Sequence, residues 1–319
     1  MKDLRIVFMG TPDFAVATLE ALVKHDYNIV GVITAPDKPA GRGRKLNESA
    51  VKQYAKSKSL TILQPTNLKD KVFLSELNAL NANLQIVVAF RMLPKIVWQM
   101  PKYGTFNLHA SLLPNYRGAA PINWAIINGE TQTGVSTFFI DEEIDTGDMI
   151  LQQNVTIENN DNAGSLHDKL MVIGSELVLK TAHYIKSGNV TTTPQNKNSA
   201  TKTAYKLNRD NCKIDWNTTL NNIHNLIRGL SPYPAAWCTL INGEERLDVK
   251  IYASDKEENI HEYSIGKVIS NKKEIKIAVK GGYIIIKELK LPGKRTMEAT
   301  SLLNGYSFST NARMELEQP

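Results

Sequence analysis

Leu84–Phe90 reads LQIVVAF and Arg5–Met9 reads RIVFM. Neither run alternates apolar with polar residues, so neither suits a strand with one face in water. Continuous Val/Ile runs of this kind predict strands buried on both faces. Outward from them, Phe14–Lys24 carries apolar residues at helical spacing and Tyr27–Thr34 (YNIVGVIT) is a further strand. Thr105–His109 and Val135–Ile140 add two more. Apolar strands separated by helices predict a parallel sheet, and right-handed crossovers make it a doubly wound α/β domain. Ligands of such sheets bind outside the carboxyl ends of the strands, so the residues that follow each strand are the first place to look.

The pattern changes beyond residue 189. Asn189–Ala204 is polar, rich in Thr and Asn, and shows neither periodicity, so residues 190–207 are expected to be a linker. One helix near Leu220–Gly229 then precedes five short runs: Trp237–Ile241, Asp248–Tyr252, Gly266–Ile269, Ile275–Val279 and Tyr283–Leu289. Short strands with Gly and Asn turns predict a small antiparallel barrel. The expected domains are therefore 1–189 and 208–319, a division that suits a chain of 319 residues.

Composition narrows the function. No stretch approaches the ~20 apolar residues of a bilayer span, and the apolar N-terminal run is broken at once by Gly10 and Pro12, unlike a secretory signal. Cys212 and Cys238 are too few for a disulfide framework or a four-cysteine zinc site. A reduced, cytoplasmic protein is expected. The net charge of +6 is concentrated: residues 36–58 hold seven cations (Lys38, Arg42, Arg44, Lys45, Lys52, Lys56, Lys58) against Asp37 and Glu48. Such a patch suits a polyanion, although a solvated loop and helix face would look the same.

Several chemistries are absent. The sequence has no G-x-x-x-x-G-K-[ST] phosphate loop, no third glycine after Gly41-Arg42-Gly43, and no G-x-S-x-G elbow. The six histidines lack metal-ligand spacing, so no metal is expected. What stands out is Asn107 and His109, two apart at a strand end and hence on one face. Ser111-Leu112-Leu113-Pro114 follows, too apolar for an ordinary surface loop. Asp141–Asp148 (DEEIDTGD), after the next strand, can bring a carboxylate beside the histidine. Each has a plainer explanation taken singly: a satisfied structural histidine, a backbone-capping asparagine, an Asp-Thr-Gly turn.

Taken together, the motifs FMGTPDFA (Phe8–Ala15), PAGRGRKL (Pro39–Leu46), NLHASLLPNYRGAAPI (Asn107–Ile122), DTGDM (Asp145–Met149), TAYKL (Thr203–Leu207), IDW (Ile214–Trp216) and PGKRTM (Pro292–Met297) resemble the methionyl-tRNA formyltransferase family over essentially the whole chain. The N-x-H, SLLP and D-T-G set alone marks the wider superfamily that uses 10-formyltetrahydrofolate. The resemblance implies a Rossmann-like formyltransferase domain, a C-terminal OB-like β-barrel that binds tRNA, and transfer of a formyl group to the α-amino group of initiator methionyl-tRNA. It implies catalytic roles for Asn107, His109 and Asp145. It also implies folate contacts from Ser111, Leu112, Leu113 and Pro114, from Phe90, Arg91, Met92 and Leu93, and from Asp141. The basic loop, with Arg42, Arg44 and Lys45, would meet the RNA. A monomer is expected.

The implied chemistry is reasonable. An α-amino group with a reference pKa near 8 is partly neutral at physiological pH, so a base is needed chiefly for the proton that appears on attack. Imidazole suits that task. Asp145, if paired with His109, would hold the tautomer, and the Asn107 amide can donate to the developing oxyanion. One departure stands out: Phe90-Arg91 occupies a place where the tRNA enzymes commonly have Tyr-Gly, and F-R-M-L looks more like the glycinamide ribonucleotide formyltransferases. A transformylase of small amines is thus one competing reading, but residues 208–319 carry neither of its usual partner domains. A non-catalytic nucleic-acid binder is another, and it leaves Asn107, His109 and Asp145 without a purpose.

Overall fold

A computed structural model describes residues 2–40, 45–196 and 202–316. They fall into two compact units that interleave along the chain. The first comprises Met1–Gly118, Thr133–Thr156 and His167–Thr203; the second comprises Ala119–Gln132, Ile157–Leu166 and Ala204–Pro319.

From the N-terminus run β1 (Arg5–Gly10), α1 (Asp13–Lys24), β2 (Asn28–Ile33), β3 (Lys38–Ala40), β4 (Lys45–Asn47), α2 (Ala50–Ser57), β5 (Ile62–Leu63), α3 (Lys71–Ala79) and β6 (Leu84–Val88). Then come α4 (Lys95–Trp98), β7 (Thr105–His109), β8 (Arg117–Gly118), α5 (Pro121–Ile127), β9 (Gln132–Phe139), β10 (Met149–Thr156), α6 (Ala163–Ser187) and β11 (Thr203–Ala204). The first unit is built on a seven-stranded sheet in the order β10-β9-β7-β6-β1-β2-β5. Its central strands are buried on both faces. Val7, Met9 and Val87 pack with Phe73, Leu77, Leu93 and Val97, while Ile6, Phe8, Ile86 and Val88 point the other way and are also fully buried. Each such side chain contributes roughly 1.5–3 kcal/mol, which is why the apolar runs dictate these strands. Gly10 closes the turn from β1 into α1. A Cβ there would lie 2.5 Å from that of Ala15 and 3.0 Å from the Val88 carbonyl.

The strands are parallel from β5 through β7, but β9 runs antiparallel to β7, pairing Phe106 with Phe139 and His109 with Ser136. This departs from the all-parallel expectation. In an antiparallel pair the second strand runs back along the first, so the start of β9 lies at the carboxyl end of β7 and its end lies back beside Phe106.

The second unit contains α7 (Leu220–Leu230), β12 (Ala236–Asn242), β13 (Glu245–Glu258), β14 (Val268–Ser270), β15 (Ile275–Val279), β16 (Gly282–Lys290), β17 (Met297–Glu298), α8 (Ala299–Leu303) and β18 (Arg313–Met314). The strand order β14-β15-β16-β13-β12-β18 is joined end to end by a Lys267–Arg313 bridge. There Val268 N–H donates to Ala312 O (3.0 Å) and Met314 N–H to Gly266 O (2.7 Å). The result is a small antiparallel barrel filled by Trp216, Cys238, Val249, Ile277, Ile284 and Ile286. The α7 helix, capped by Thr219 Oγ1 accepting from Asn222 N–H at 3.2 Å, adds Ile223 and Ile227 to that core. The α5 helix belongs to this unit too, with Asn123 Nδ2 donating to Gly229 O at 2.8 Å. No helix among the described residues is long and apolar enough to cross a membrane.

Candidate active site

At the end of β7, Asn107 and His109 share a face of the first unit's sheet. His109 is only 7% exposed, and its Nε2 lies 2.8 Å from the Tyr116 carbonyl. A carbonyl oxygen can only accept, so Nε2 carries a hydrogen, and in the neutral ring Nδ1 holds the lone pair. That lone pair faces Asp145, whose Oδ2 is 3.8 Å from Nδ1. This is too long for a hydrogen bond, so the tautomer is held by Tyr116 rather than by the carboxylate. Asp145 Oδ2 itself accepts from Gly118 N–H at 2.9 Å. The half-buried Asn107 amide makes no hydrogen bond among the described residues and is therefore available as a donor.

Because β9 is antiparallel, its carboxyl end lies beside Thr105, where Ile140 N–H donates to Thr105 O (2.8 Å). Asp145 reaches His109 only because the β9–β10 loop folds back. Three features hold that course. Asp141 accepts from Glu143 N–H (3.1 Å) and Thr146 Oγ1 (2.7 Å). Asp145 takes a left-handed backbone, φ 56°. Gly147 lies so close to Phe139 that a Cβ would sit 1.7 Å from its carbonyl oxygen. The opposing segment is similarly constrained: Tyr116, at φ 60°, donates its N–H to Lys202 O at 2.7 Å.

The expected folate-binding segments are brought to this neighbourhood. After β6, Phe90 and Leu93 pack into the core beneath the sheet and Met92 is 70% exposed. Arg91 donates to Thr66 O (2.8 Å) and to Pro65 O, with its guanidinium beside the Phe90 ring. It thus braces neighbouring backbone. A Lys95–Glu142 ion pair ties this strip to the loop that bears Asp145, and Ile144 on that loop is 57% exposed. The Ser111–Pro114 turn is fastened from below. Ser136 Oγ donates to Ser111 O (2.6 Å) and accepts from Leu113 N–H (3.1 Å). Gln152 Nε2 donates to Leu113 O and to Ser136 Oγ, both at 2.9 Å. Ser111 Oγ donates to Asn115 O at 2.7 Å, and Leu112 fills the space a side chain at Gly134 would need.

The basic segment divides in two. Lys52 pairs with Asp37 (2.5 Å) and Glu48 (3.2 Å), and Lys56 with Glu48 (3.0 Å). Both anions are thereby spent on α2, and their carboxyls are held below the usual range by hydrogen bonds from those lysines. The hairpin that precedes α2 pairs Lys38 with Asn47 and Ala40 with Lys45 across β3 and β4. Arg42 and Arg44 lie outside the described residues. Among the described residues no cluster of three or more His, Cys, Asp or Glu could hold a metal.

Gln195, Ser136 and Gln152 escaped the sequence reading. Gln195 sits in the tract expected to be a linker, yet it is 8% exposed and touches the Asp145 loop. Nothing in a run of Thr, Asn and Lys distinguishes one buried glutamine.

Residues 4–181 match the formyl transferase family, and residues 206–307 match the formyl transferase C-terminal domain. The methionyl-tRNA formyltransferase of Flavobacterium johnsoniae is 63% identical over 314 residues, covering 98% of this chain and 100% of that protein. That of Bacteroides thetaiotaomicron is 51% identical over 318 residues, covering 98% and 99%. Among solved structures, the sugar 3N-formyl transferase WlaRD, in the presence of dTDP and 5-N-formyl-THF, has a TM-score of 0.66 at 23% identity, covering 92% of this chain and 100% of that one. HypX from Aquifex aeolicus, in complex with tetrahydrofolic acid, has a TM-score of 0.64 at 16% identity, covering 95% and 47%. At such identities the likeness concerns the fold. The two full-length relatives carry more, and with both regions matched the chain belongs to the methionyl-tRNA formyltransferase family.

Proposed function

We propose that this protein transfers the formyl group of 10-formyltetrahydrofolate to the α-amino group of methionine on initiator methionyl-tRNA. The observation that carries this reading is identity of 63% spanning both units to a methionyl-tRNA formyltransferase, and the His109–Asp145–Asn107 arrangement supplies the chemistry. When bound, 10-formyltetrahydrofolate would supply the formyl carbon, and the nitrogen that loses it would end protonated. The residues present fit such a group: an uncommitted Asn107 amide, with exposed apolar Met92 and Ile144 on the two segments that Lys95 and Glu142 join.

His109 acts as the base through Nδ1, because Nε2 is committed to Tyr116 O. Once Nδ1 has taken the amine's proton, Nε2–H stays bonded to Tyr116 O and the Asp145 carboxylate, 3.8 Å from Nδ1, stabilises the positive charge of the imidazolium. Asn107 donates to the oxygen that gains negative charge. Ser111–Pro114 and Phe90–Leu93 line the folate with Asp141. Arg42, Arg44 and Lys45 guide the RNA end, with the domain of residues 208–319 as a further RNA-binding body. The protein acts in the cytoplasm as a monomer.

His109→Ala and Asn107→Ala should each lower kcat by ~10²–10⁴-fold while folate binding persists. Turnover is followed by folate absorbance on adding charged initiator tRNA. Retention of more than a third of wild-type turnover by either variant overturns the assignment.

A further inference from the structure

We propose that Gln195 is a positioning residue for the formyl transfer, setting the separation between His109 and Asp145. The proposal rests on the catalytic reading above. Gln195 is more than nine-tenths buried and uses both ends of its amide. Nε2 donates to Asp145 O (3.0 Å) and to Gly147 O (2.8 Å). Oε1 accepts from Arg117 Nη2 (2.7 Å) and Nε (3.3 Å).

The two segments it joins are those that flank the imidazole. Tyr116, Arg117 and Gly118 are consecutive: the first accepts from His109, the second donates to Gln195, and the third donates to Asp145 Oδ2. Gln195 therefore closes a loop of interactions through both partners of the histidine. Its own backbone is anchored beside it, since Thr193 and Met149 exchange N–H···O bonds of 2.9 Å each. The chemical requirement is specific. The position needs an acceptor facing a guanidinium and two donors facing carbonyls, and a primary amide supplies both. A carboxylate satisfies Arg117 but sets negative oxygen against two carbonyl oxygens. Asp145 has a left-handed backbone, φ 56°, and the turn keeps this course against Phe139 while its surroundings hold it there. Without the Gln195 donors, both carbonyls of the 145–147 turn lose their partner and the carboxylate is free to drift from Nδ1.

The test uses the full-length protein and charged initiator tRNA, with Gln195→Ala and Gln195→Glu beside His109→Ala. Gln195→Ala should lower kcat by about 10–100-fold, the scale of an ångström-sized misplacement, with KM for folate and tRNA within twofold. Gln195→Glu should show a pH profile unlike wild type, its activity relative to wild type recovering as the pH is lowered and the carboxyl regains a donor hydrogen. A purely structural role would not produce that recovery. If Gln195→Ala fails to fold, the Gln195→Glu profile decides alone. The proposal is overturned if kcat stays within twofold of wild type, if KM rises while kcat is kept, or if Gln195→Glu is impaired equally at every pH. Full activity in His109→Ala would instead overturn the catalytic reading beneath it.

Discussion

Gly147→Ala tests how closely the placement of the Asp145 carboxylate depends on a single missing methyl group. A Cβ at this position would sit 1.7 Å from Phe139 O and 2.9 Å from Phe139 C, both backbone atoms. No rotamer change can relieve such a contact. Raising the shorter distance to the 3.0 Å that real Cβ atoms respect requires the loop to retreat by about 1.3 Å, and a misplacement of that order can cost about 10²-fold in rate. The loop is also tied to the strand it must leave, since Phe139 N–H donates to Asp148 O at 3.0 Å. Overpacking of this kind costs roughly 1–3 kcal/mol of stability. Gly305→Ala is the control, because a Cβ there meets nothing within 4 Å. Formyl transfer to charged initiator tRNA, measured under saturating folate, should fall about a hundredfold in kcat for Gly147→Ala and remain unchanged for the control. A Gly147→Ala enzyme within threefold of wild-type kcat would refute the claim that the fold-back of this loop places Asp145.

The remaining predictions concern the second unit. His224, 3.2 Å from Ser254 Oγ, is pushed down to about 4 by burial and by Lys256 and Arg228, with Asp255 opposing. The unfolded chain therefore binds this proton first as the pH falls, and stability should be lost between pH ~6.5 and about 4 and then level off. Full burial would cap the loss near ~3 kcal/mol, and solvent screening brings it to about 1–2 kcal/mol. His224→Gln should flatten urea-unfolding midpoints over that range, and an identical slope in both proteins would contradict the assignment. Cys238 is buried in the barrel and its thiol is pushed up to about 12 by burial, with Cys212 raised for the same reason. Iodoacetamide should leave both thiols untouched in the native protein and modify both in denaturant. Rapid native-state alkylation of either one would show that the barrel opens locally.

Much of this protein is determined by patterns that neighbours in sequence complete by themselves. An apolar run such as Leu84–Val88 has one stable use, a strand covered on both faces, and the spacing of Phe14, Ala15, Thr18, Leu19 and Leu22 makes one buried stripe on α1. Ile275–Val279 alternates to face a barrel core on one side and occupies a strand with those bounds. The shared face of Asn107 and His109 follows from the two-residue period of a strand. Partners distant in sequence decided the rest. The direction of β9 depends on which end of β7 it starts from, and composition carries no record of that. The approach of Asp145 to His109 needs a loop that doubles back against Gly147, and the tautomer of His109 depends on a backbone carbonyl seven residues on, which has no side-chain signature. Lys52 and Lys56 count as free charge in the sequence, yet in the fold they are matched with Asp37 and Glu48. Gln195 is the clearest case. A glutamine in a polar tract becomes a buried brace only where the chain delivers it between a guanidinium and two carbonyls, because hydrogen-bond satisfaction is a property of the assembled interior and not of the local sequence.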